Sequence, residues 1–265
     1  MTIKEYVAKR KLEIKELVSS FSRKPKLAIV QVNEDAGSNA YVKGKLKDAN
    51  ELGVIADLIK LPLTTTQEEL LTLIAQLNND NSVDGFIVQM PLPKQINEEV
   101  IKLAVSPLKD VDGFHPLSEL APCTPKGIMN YLHHENVEIC GKNAVVIGRS
   151  NIVGKPVSKL LLKESANVTI LHSKTSFEDM KNYIKNADII VIAIGRAGFL
   201  DERFEYKKNA CIIDVGITRT EQGLKGDAKP DLPVLIQTPV PGGVGLLTRL
   251  ALYENLLDIY HKKGE

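Results

Sequence analysis

Several features that mark specialised classes of protein are scarce in this sequence of 265 residues. It has three cysteines, Cys123, Cys140 and Cys211, which are widely spaced and form no C-x-x-C pair. An odd, scattered set of this kind argues against a disulfide framework or a cysteine zinc site and favours a reducing compartment. No run reaches the ~18 apolar residues that a membrane-spanning helix requires. We therefore expect neither a disulfide-rich secreted protein nor a membrane protein.

An excess of charge of one sign is also absent. The chain has 34 Lys and Arg against 33 Asp and Glu, a formal net charge of +1. A protein so balanced has no basic field that would attract nucleic acid or an anionic membrane. Its first residues, MTIKEYVAKRKLEIKELV, are charged and amphipathic and lack the apolar segment of a secretory signal. We expect a cytoplasmic protein with no nucleic-acid partner and no membrane partner.

The few histidines do not form a ligand set for a metal ion. His133 and His134 are adjacent, so their side chains point to different faces, and His115, His172 and His261 lie in unrelated predicted elements. No metal site is predicted.

The sequence does contain a repeated alternation of strand-like and helix-like segments. Short apolar runs such as KLAIVQV (26–32) and GFIVQMPLP (85–93) are typical of strands covered on both faces, and amphipathic segments follow them at helical spacing. The further predicted strands are ADLIKLP, NAVVIG, NVTILHS, DIIVIAIG, CIIDVG and PVLIQT. The predicted helices lie near residues 3–21, 38–52, 65–79 and 97–104, after NAVVIG and NVTILHS, and in GLLTRLALYENLLDIYHK. This order predicts an α/β fold with mostly parallel sheets and flanking helices.

Two segments interrupt the alternation and predict two domains. FHPLSELAPCTPKG (114–127) contains three prolines, and TPVPGGVG (238–245) is rich in proline and glycine. At 265 residues the chain is long enough for roughly two domains. We predict one domain from residues 1–117 and 244–265 and a second from residues 118–243.

The stretch AVVIGRSNIVGKPVSKLL (144–161) joins a predicted strand to a predicted helix. Gly148 and Gly154 would let backbone N–H groups approach a phosphate, and Pro156 suits the first turn of a helix. The turn lacks the middle glycine of G-x-G-x-x-G, and by itself it fits a nucleotide site and an ordinary connection equally well.

Residues after the next strand favour NADP as the nucleotide. That strand ends in LHSKT, with Ser173 and Lys174 where NAD sites carry a carboxylate, and Arg149 lies in the turn itself. Cations and a hydroxyl suit the additional phosphate of NADP. AIGRAG, DVGI and TPVPGGVG place further glycines at strand ends, where a ligand can lie close to the backbone. The second domain is therefore predicted to be a Rossmann-like dinucleotide-binding domain.

The first half carries a different set of polar residues. Tyr41 and Lys45 are four residues apart and share one helix face, Gln89 ends a predicted buried strand, and Asp112 lies in the acidic turn KDVDGF. A packed ring beside a solvated amine is the ordinary alternative for Tyr41 and Lys45. The four side chains come from separate element ends and could meet in one cleft that faces the cofactor, although composition does not establish this.

Eight segments, in order, give the sequence a specific resemblance. They are GSNAYVKGKLKDANELGV, DGFIVQMPLP, KDVDGFHP, PCTPKGI, VVIGRSNIVGKP, LHSKT, DVGI and TPVPGGVG. In this order they resemble the bifunctional methylenetetrahydrofolate dehydrogenase/cyclohydrolase family over nearly the whole chain. That family uses the wide glycine spacing of the 144–161 turn.

The resemblance implies a function and a role for each matching residue. It implies oxidation of 5,10-methylenetetrahydrofolate with NADP, hydrolysis of the methenyl product to 10-formyltetrahydrofolate, and a homodimer formed through the cofactor domains. Lys45 would be the central catalytic lysine, Tyr41 would stack near the folate, Gln89 would hydrogen-bond the lysine and Asp112 would hold the pterin edge. The resemblance further implies that Pro241 and Gly242 contact the folate. The implied NADP residues are Gly148, Arg149, Ser150, Ile152, Ser173, Gly195, Ile217 and Thr238.

The chain departs from the family pattern at three places. The segment after DGFHP is short, GDAKPDLP (226–233) replaces the usual continuation of GDV, and Leu246 follows PGGVG where proline is usual. Two other functions stay open on the residues alone. A different two-domain NADP dehydrogenase, or a non-catalytic NADP-binding sensor, would account for the second half, but neither accounts for VQMPLP or for the Tyr41 and Lys45 pair.

Overall fold

The computed structural model describes residues 2–263, which form two compact units. The central unit comprises Thr124–Thr248 together with the start of the chain up to Val7. The N-terminal unit comprises Ala8–Cys123 together with the chain from Arg249 onward. Each unit contains its own parallel sheet, so the predicted α/β class with mostly parallel sheets is confirmed. Within the described residues, no helix combines the length and apolar character needed to cross a membrane.

The N-terminal unit is built around three parallel strands in the order β2-β1-β3. Its elements are α1 (Ile3–Ser19), β1 (Lys26–Gln31), α2 (Ala36–Leu52), β2 (Ile55–Lys60), α3 (Gln67–Asn79), β3 (Gly85–Gln89), α4 (Glu98–Ala104) and α8 (Val244–Lys262), the division between units falling within α1 and α8. The central strand β1 is buried on both faces, with Leu27 and Ile29 fully covered. This explains its continuous apolar run, because a parallel strand needs helices on both sides.

Helix α2 carries two of the predicted catalytic residues and has defined ends. The carboxylate of Asp35 accepts a hydrogen bond from the N–H of Ser38, and Gly53 ends the helix with a left-handed φ of 76°. The helix therefore begins at Ala36, two residues before the predicted start at Ser38, because Asp35 caps it. Its register is unaffected, and Tyr41 and Lys45 share one face.

The central unit contains a five-stranded parallel sheet in the order β10-β7-β6-β4-β5. Its elements are α5 (Cys123–His134), β4 (Asn143–Ile147), α6 (Gly154–Lys163), β5 (Asn167–Leu171), α7 (Phe177–Lys185), β6 (Ile189–Ile192), β7 (Cys211–Asp214), β8 (Thr218–Thr220), β9 (Gly223–Lys225) and β10 (Ile236–Gln237). Strand β4 lies between β5 and β6, so the chain leaves β4 toward one side of the sheet and later returns to its other side. In open parallel sheets such a switch in strand order is where ligands bind.

Helix α5 occupies part of a segment that the sequence analysis took as irregular. It begins at Cys123, inside the predicted interruption at 114–127. Pro125 is tolerated because it lies in the first turn, where the N–H has no partner within the helix. Ile128 and Leu132, four residues apart, are both fully buried.

The two units are divided at places that differ from the predicted domain ranges. The structure divides the chain after Cys123 rather than after residue 117, and after Thr248 rather than after residue 243. The first residues belong to the central unit, whereas the prediction assigned residues 1–117 to the other domain. The reason for this assignment is the packing of the Tyr6 ring against Tyr131 and His134, with centroid distances of 6.0 and 4.4 Å.

The last part of the central sheet is less regular than the sequence predicted. PVLIQT was predicted to be a strand, but only Ile236–Gln237 pairs with β7. Pro230 and Pro233 precede this pair, and proline has no N–H to donate to a ladder. The antiparallel hairpin of β8 and β9 was not predicted, because its two strands are only three residues long.

Candidate functional site

Lys45 and Gln89 form a direct hydrogen bond in the N-terminal unit. The Lys45 side chain is buried, and its Nζ lies 3.0 Å from Oε1 of Gln89, the last residue of β3. The amide Nε2 of Gln89 donates to the carbonyl of Met90 at 2.8 Å, which turns the amide oxygen toward Lys45. The direct partner of this buried amine is therefore a neutral amide that orients it without adding charge.

Asp112 and Tyr41 complete the predicted catalytic set in the same unit. Burial raises the pKa of the Asp112 carboxyl, and the charge of Lys45 lowers it, so these two groups are electrostatic neighbours. Tyr41 lies one turn before Lys45 on α2. Burial raises the pKa of its phenol, while the charge of Arg249 opposes that rise. A half-buried ring and an amine on the middle turns of α2, an amide at the end of β3 and a carboxyl in the turn after Asp110 thus belong to one unit.

The turn that presents Asp112 is built by the buried carboxylate of Asp110. This carboxylate accepts hydrogen bonds from the N–H of Gly113 at 3.0 Å and of His115 at 2.7 Å. Gly113 has a φ of 70°, and a Cβ at this position would overlap the carbonyl of Ala121. Burial raises the pKa of Asp110 to about 6, because it disfavours the charged form more than the backbone N–H groups favour it.

Asp110 should give the stability of the protein a characteristic pH dependence. Its folded pKa of about 6 exceeds its ordinary value of 3.8, so its contribution is fully present below about pH 4 and is lost as the pH rises through 6. Between these limits, the free energy of unfolding of the wild type relative to Asp110→Asn should fall by up to about 1.4 kcal/mol per pH unit. Chemical denaturation at several pH values measures this slope.

Asp80→Asn provides the matched control for that titration. Hydrogen bonds from Ser82 lower the pKa of Asp80, so its contribution is present above pH 3.8 and is lost as the pH falls. Its difference curve should therefore be flat from pH 4 to 6 and should fall only as the pH drops below 3.8. A wild-type minus Asp110→Asn difference that stays flat from pH 4 to 6 would contradict the assignment.

In the central unit, the predicted cofactor residues follow the carboxyl ends of the parallel strands. All five strands run in the same direction, so these strand ends lie at one edge of the sheet. The positions that follow the strands are Gly148 after β4, Ser173 after β5, Gly195 after β6, Ile217 after β7 and Thr238 after β10. The structure therefore brings together, at one edge, residues that are up to 90 positions apart in the sequence.

The turn between β4 and α6 has the tight geometry that its glycines require. Gly148 has a φ of 119°, donates its N–H to the carbonyl of Leu171, and would place a Cβ 2.5 Å from the carbonyl oxygen of Ala193. Gly154 packs directly on the carbonyl of Gly148. The hydroxyl of Ser150 accepts the N–H groups of Val153 and Gly154 at 3.1 and 3.3 Å. Gly154 thus serves close packing, and its N–H is already paired within the turn, contrary to the expectation that it faces a phosphate.

The remaining predicted cofactor residues differ in accessibility. Arg149, Ile152, Ser173, Gly195 and Ile217 are exposed, so their surfaces are available to a ligand. Thr238 is 2 % exposed, and its hydroxyl accepts the N–H of Asp214 at 2.8 Å. Its side chain therefore joins β10 to β7.

The two further predicted folate contacts follow Thr238 in the chain. Pro241, after a cis peptide bond with Val240, is exposed, and Gly242 has a φ of 92°. Both belong to the central unit.

Asp227 is a structural residue of this edge that the sequence analysis missed. Its carboxylate accepts the N–H groups of Ile194, Gly195 and Arg196 at 2.7, 3.0 and 2.5 Å. A Cβ at Gly216 would overlap this carboxylate. The turn after β6 is therefore fixed by an internal anion, and its N–H groups are not free for a phosphate. The GD pair in the 226–233 segment was the available signal.

These observations fit a dinucleotide at the edge of the central sheet. The Gly148 turn leaves no room for a Cβ, Gly195 has open space around it, and the guanidinium of Arg149 is exposed at the start of the turn. For residues 2–263, no three His, Cys, Asp or Glu side chains are grouped so that they could hold a metal ion.

Comparison with known families agrees with both halves of this arrangement. Residues 1–112 match the model of the tetrahydrofolate dehydrogenase/cyclohydrolase catalytic domain, and residues 122–264 match the model of the NAD(P)-binding domain of the same enzymes. The chain belongs to this family. The resemblance read from the eight sequence segments is therefore confirmed.

Individual members of the family are similar to the chain over most of its length. The bifunctional protein FolD of Staphylococcus aureus is 49% identical over 246 residues, which cover 88% of this chain and 85% of that protein. A FolD crystal structure from Campylobacter jejuni has 38% identity and a TM-score of 0.93, covering 98% of each chain. The Trypanosoma brucei FolD, described as complexed with NADP cofactor and inhibitor, has 31% identity and a TM-score of 0.94, covering 100% of this chain and 98% of its own.

Proposed function

We propose that this family member oxidises 5,10-methylenetetrahydrofolate with NADP and hydrolyses the methenyl product to 10-formyltetrahydrofolate, with Lys45 as the central catalytic residue. The observation that carries the proposal is the buried hydrogen bond from Lys45 to Gln89, with Asp112 as an electrostatic neighbour. This arrangement holds one amine in a fixed direction in a partly desolvated site.

In the oxidation, the chain's contribution is positioning. Bound NADP supplies the hydride acceptor, and Gly148, Arg149, Ser150 and Ser173 are proposed to hold it, with Ile152, Gly195, Ile217 and Thr238 at the rim. Asp112 is proposed to accept hydrogen bonds from the pterin edge, and Tyr41 to pack against the folate. Pro241 and Gly242 are proposed as further folate contacts. Loss of a hydride from the methylene bridge leaves a methenyl cation, and water must be excluded until that transfer is complete.

In the hydrolysis, Lys45 is proposed to act as the base. Water attacks the bridge carbon and gives one proton to the neutral amine of Lys45, which leaves a hydroxyl on that carbon. The hydroxyl then loses its proton as the formyl C=O bond forms, and the carbon–N5 bond breaks as N5 takes up a proton. A cationic substrate favours the neutral amine of a neighbouring lysine, because like charges repel. Gln89 orients this amine through its amide oxygen.

Arg149 is proposed to select NADP over NAD. Its side chain is exposed beside the Gly148 turn, and a guanidinium can bind a phosphate through two parallel hydrogen bonds. Mixing the wild type with methylenetetrahydrofolate and NADP should produce the methenyl absorbance, followed by its decay. In this assay, Arg149→Ala should raise the KM for NADP by about tenfold or more and change the KM for NAD far less, since one charge-assisted contact is worth about 1.5–3 kcal/mol.

Lys159→Ala is the matched control, because Lys159 is an exposed cation on α6, the helix that follows this turn, and both KM values should be unchanged. If Arg149→Ala raised the KM for NADP and the KM for NAD equally, Arg149 would not contact the 2′-phosphate. A wild type that produces no methenyl absorbance with either cofactor would refute the proposed oxidation.

The assembly and location implied by the resemblance belong to the same proposal. We propose a homodimer formed through the cofactor domains and a cytoplasmic location, supported by family membership and by the few, widely spaced cysteines. The chain has a mass of 29.2 kDa, so sedimentation should give about twice this value.

A further inference from the structure

Arg249 lies against the helix that carries Tyr41 and Lys45. The side chain of Tyr253, one turn further along α8, donates its hydroxyl to the carbonyl of Lys45 at 2.5 Å. Arg249 is four residues earlier and so lies on the same face of α8. This hydrogen bond fixes α8 against α2 and brings Arg249 to the neighbouring turn. The sequence signal was a single cation in the apolar stretch GLLTRLALY.

The absence of a side chain at Gly44 makes room for the guanidinium of Arg249. A Cβ at this position would overlap Nη1 and Cζ of Arg249. Gly44 lies one turn after Tyr41 on the same side of α2, so the guanidinium occupies a notch beside Tyr41. Its charge acts on the phenol of Tyr41, which shows that the cation and this ring are close. Glycine lowers the stability of a helix interior, but at position 44 the missing side chain leaves space for the guanidinium.

The guanidinium is only partly neutralised. Its Nε lies 2.9 Å from Oδ2 of Asp48, an ion pair without hydrogen-bond alignment, and the other carboxylate oxygen of Asp48 is 2.5 Å from Nζ of Lys11. One carboxylate is therefore shared by two cations. Across residues 2–263, no protein group accepts a hydrogen bond from the terminal nitrogens of Arg249, and its side chain is 23% exposed.

We propose that Arg249 binds a carboxylate of the glutamyl tail of the folate substrate. The notch at Gly44 holds the guanidinium beside Tyr41, and its terminal nitrogens have no acceptor among the described residues, so they are available to a ligand. This inference rests on the proposed function, because it names a contact for the same substrate.

The chemistry of the substrate matches this cation. A tetrahydrofolate has a pterin at one end, for which Asp112 is proposed, and at least one glutamate at the other. A guanidinium matches the planar carboxylate and can donate two parallel hydrogen bonds to it. Asp48 holds the Nε side of Arg249, so that less side-chain freedom is lost on binding.

The decisive experiment compares two substrates that differ only at the tail. Methylenetetrahydrofolate and the propylamide of methylenetetrahydropteroate, whose tail carries no carboxylate, are assayed with the wild type and with Arg249→Met. We expect Arg249→Met to raise the KM for the folate about tenfold, equivalent to about 1.4 kcal/mol. Its kcat should change by less than about twofold, and its KM for the pteroate amide should equal that of the wild type, because this substrate has no carboxylate to lose its partner.

Two further variants separate ligand binding from packing. Gly44→Ala improves helix propensity but displaces the guanidinium, so it should fold and should raise the KM for the folate alone. Arg249→Lys keeps the charge and should recover part of the affinity. Arg10→Met is the control, because Arg10 pairs with Glu254 of the same helix α8 at 3.0 Å and should leave both substrates unaffected.

Equal increases of KM for the folate and the pteroate amide in Arg249→Met, or a fall in kcat with both, would overturn the inference and assign Arg249 to packing alone. If Arg249→Met does not fold, Gly44→Ala and Arg249→Lys decide by the same comparison. A wild type that turns over neither substrate would refute the proposed function instead.

Discussion

Replacing Lys45 by methionine is expected to lower the rate of methenyltetrahydrofolate hydrolysis about a thousandfold, the usual contribution of a general base. Methionine has a similar length and no amine, so the buried space stays filled while the base is lost. Oxidation should also slow, since the amine contributes to positioning. The affinity for NADP should be unchanged, because Lys45 and the predicted cofactor residues belong to different units. Stopped-flow decay of the methenyl absorbance measures the hydrolysis.

Lys47→Met is the matched control for this experiment. Lys47 is on the same helix, but its side chain is 76% exposed and lies 3.7 Å from Glu51 in a surface ion pair. Such pairs contribute little to stability, and no role in the site is proposed for this residue. The control should hydrolyse the substrate at the wild-type rate. A folded Lys45→Met protein that also retained that rate would rule out Lys45 as the base.

Replacing Gly148 by alanine is expected to abolish NADP binding, with a loss of affinity of at least about a hundredfold, and to lower the free energy of unfolding by about 2–4 kcal/mol. Two effects combine at this position. A φ of 119° is outside the regions that L-residues adopt readily, and the new Cβ would lie 2.5 Å from the carbonyl oxygen of Ala193. The carbonyl of Ala193 is backbone rather than the end of a flexible side chain, so the turn itself must move. Fluorescence titration with NADP and chemical denaturation measure the two losses.

Gly141→Ala separates the backbone effect from the steric effect. Gly141 also has a positive φ, of 74°, but a Cβ there would meet nothing within 4 Å. The left-handed conformation costs alanine about 1–2 kcal/mol, so some stability should be lost while NADP binding is retained. If Gly148→Ala bound NADP as well as Gly141→Ala does, the turn after β4 would not be part of the cofactor site.

Most of the secondary structure could be predicted because pattern and local chemistry agree. Strands β1, β4 and β6 are continuous apolar runs, which are typical of buried strands. Helix α3 begins at a capping box formed by Thr66 and Glu69. The errors occur where local signals conflict. Helix α5 starts among prolines, and most of PVLIQT leaves the sheet because prolines precede it.

Motifs in the sequence name candidate site residues, whereas contacts in the folded protein decide what their polar groups do. Lys45 and Gln89 were named from sequence, and the structure adds the hydrogen bond that joins them. Thr238 and Gly154 were named as ligand contacts, yet their polar groups are used by Asp214 and Ser150 within the protein. Whether a hydroxyl or an N–H is free depends on neighbours that spacing does not reveal.

The sequence by itself determined the α/β class and the family and named candidate residues for the two predicted sites, because periodicity and ordered motifs are properties of the chain alone. Only the tertiary structure decided which groups meet. Asp227 reaches the turn after β6, and Arg249 enters the notch at Gly44, across 31 to 205 positions of sequence. Such contacts arise from strand order and helix packing, which the local spacing of residues does not determine.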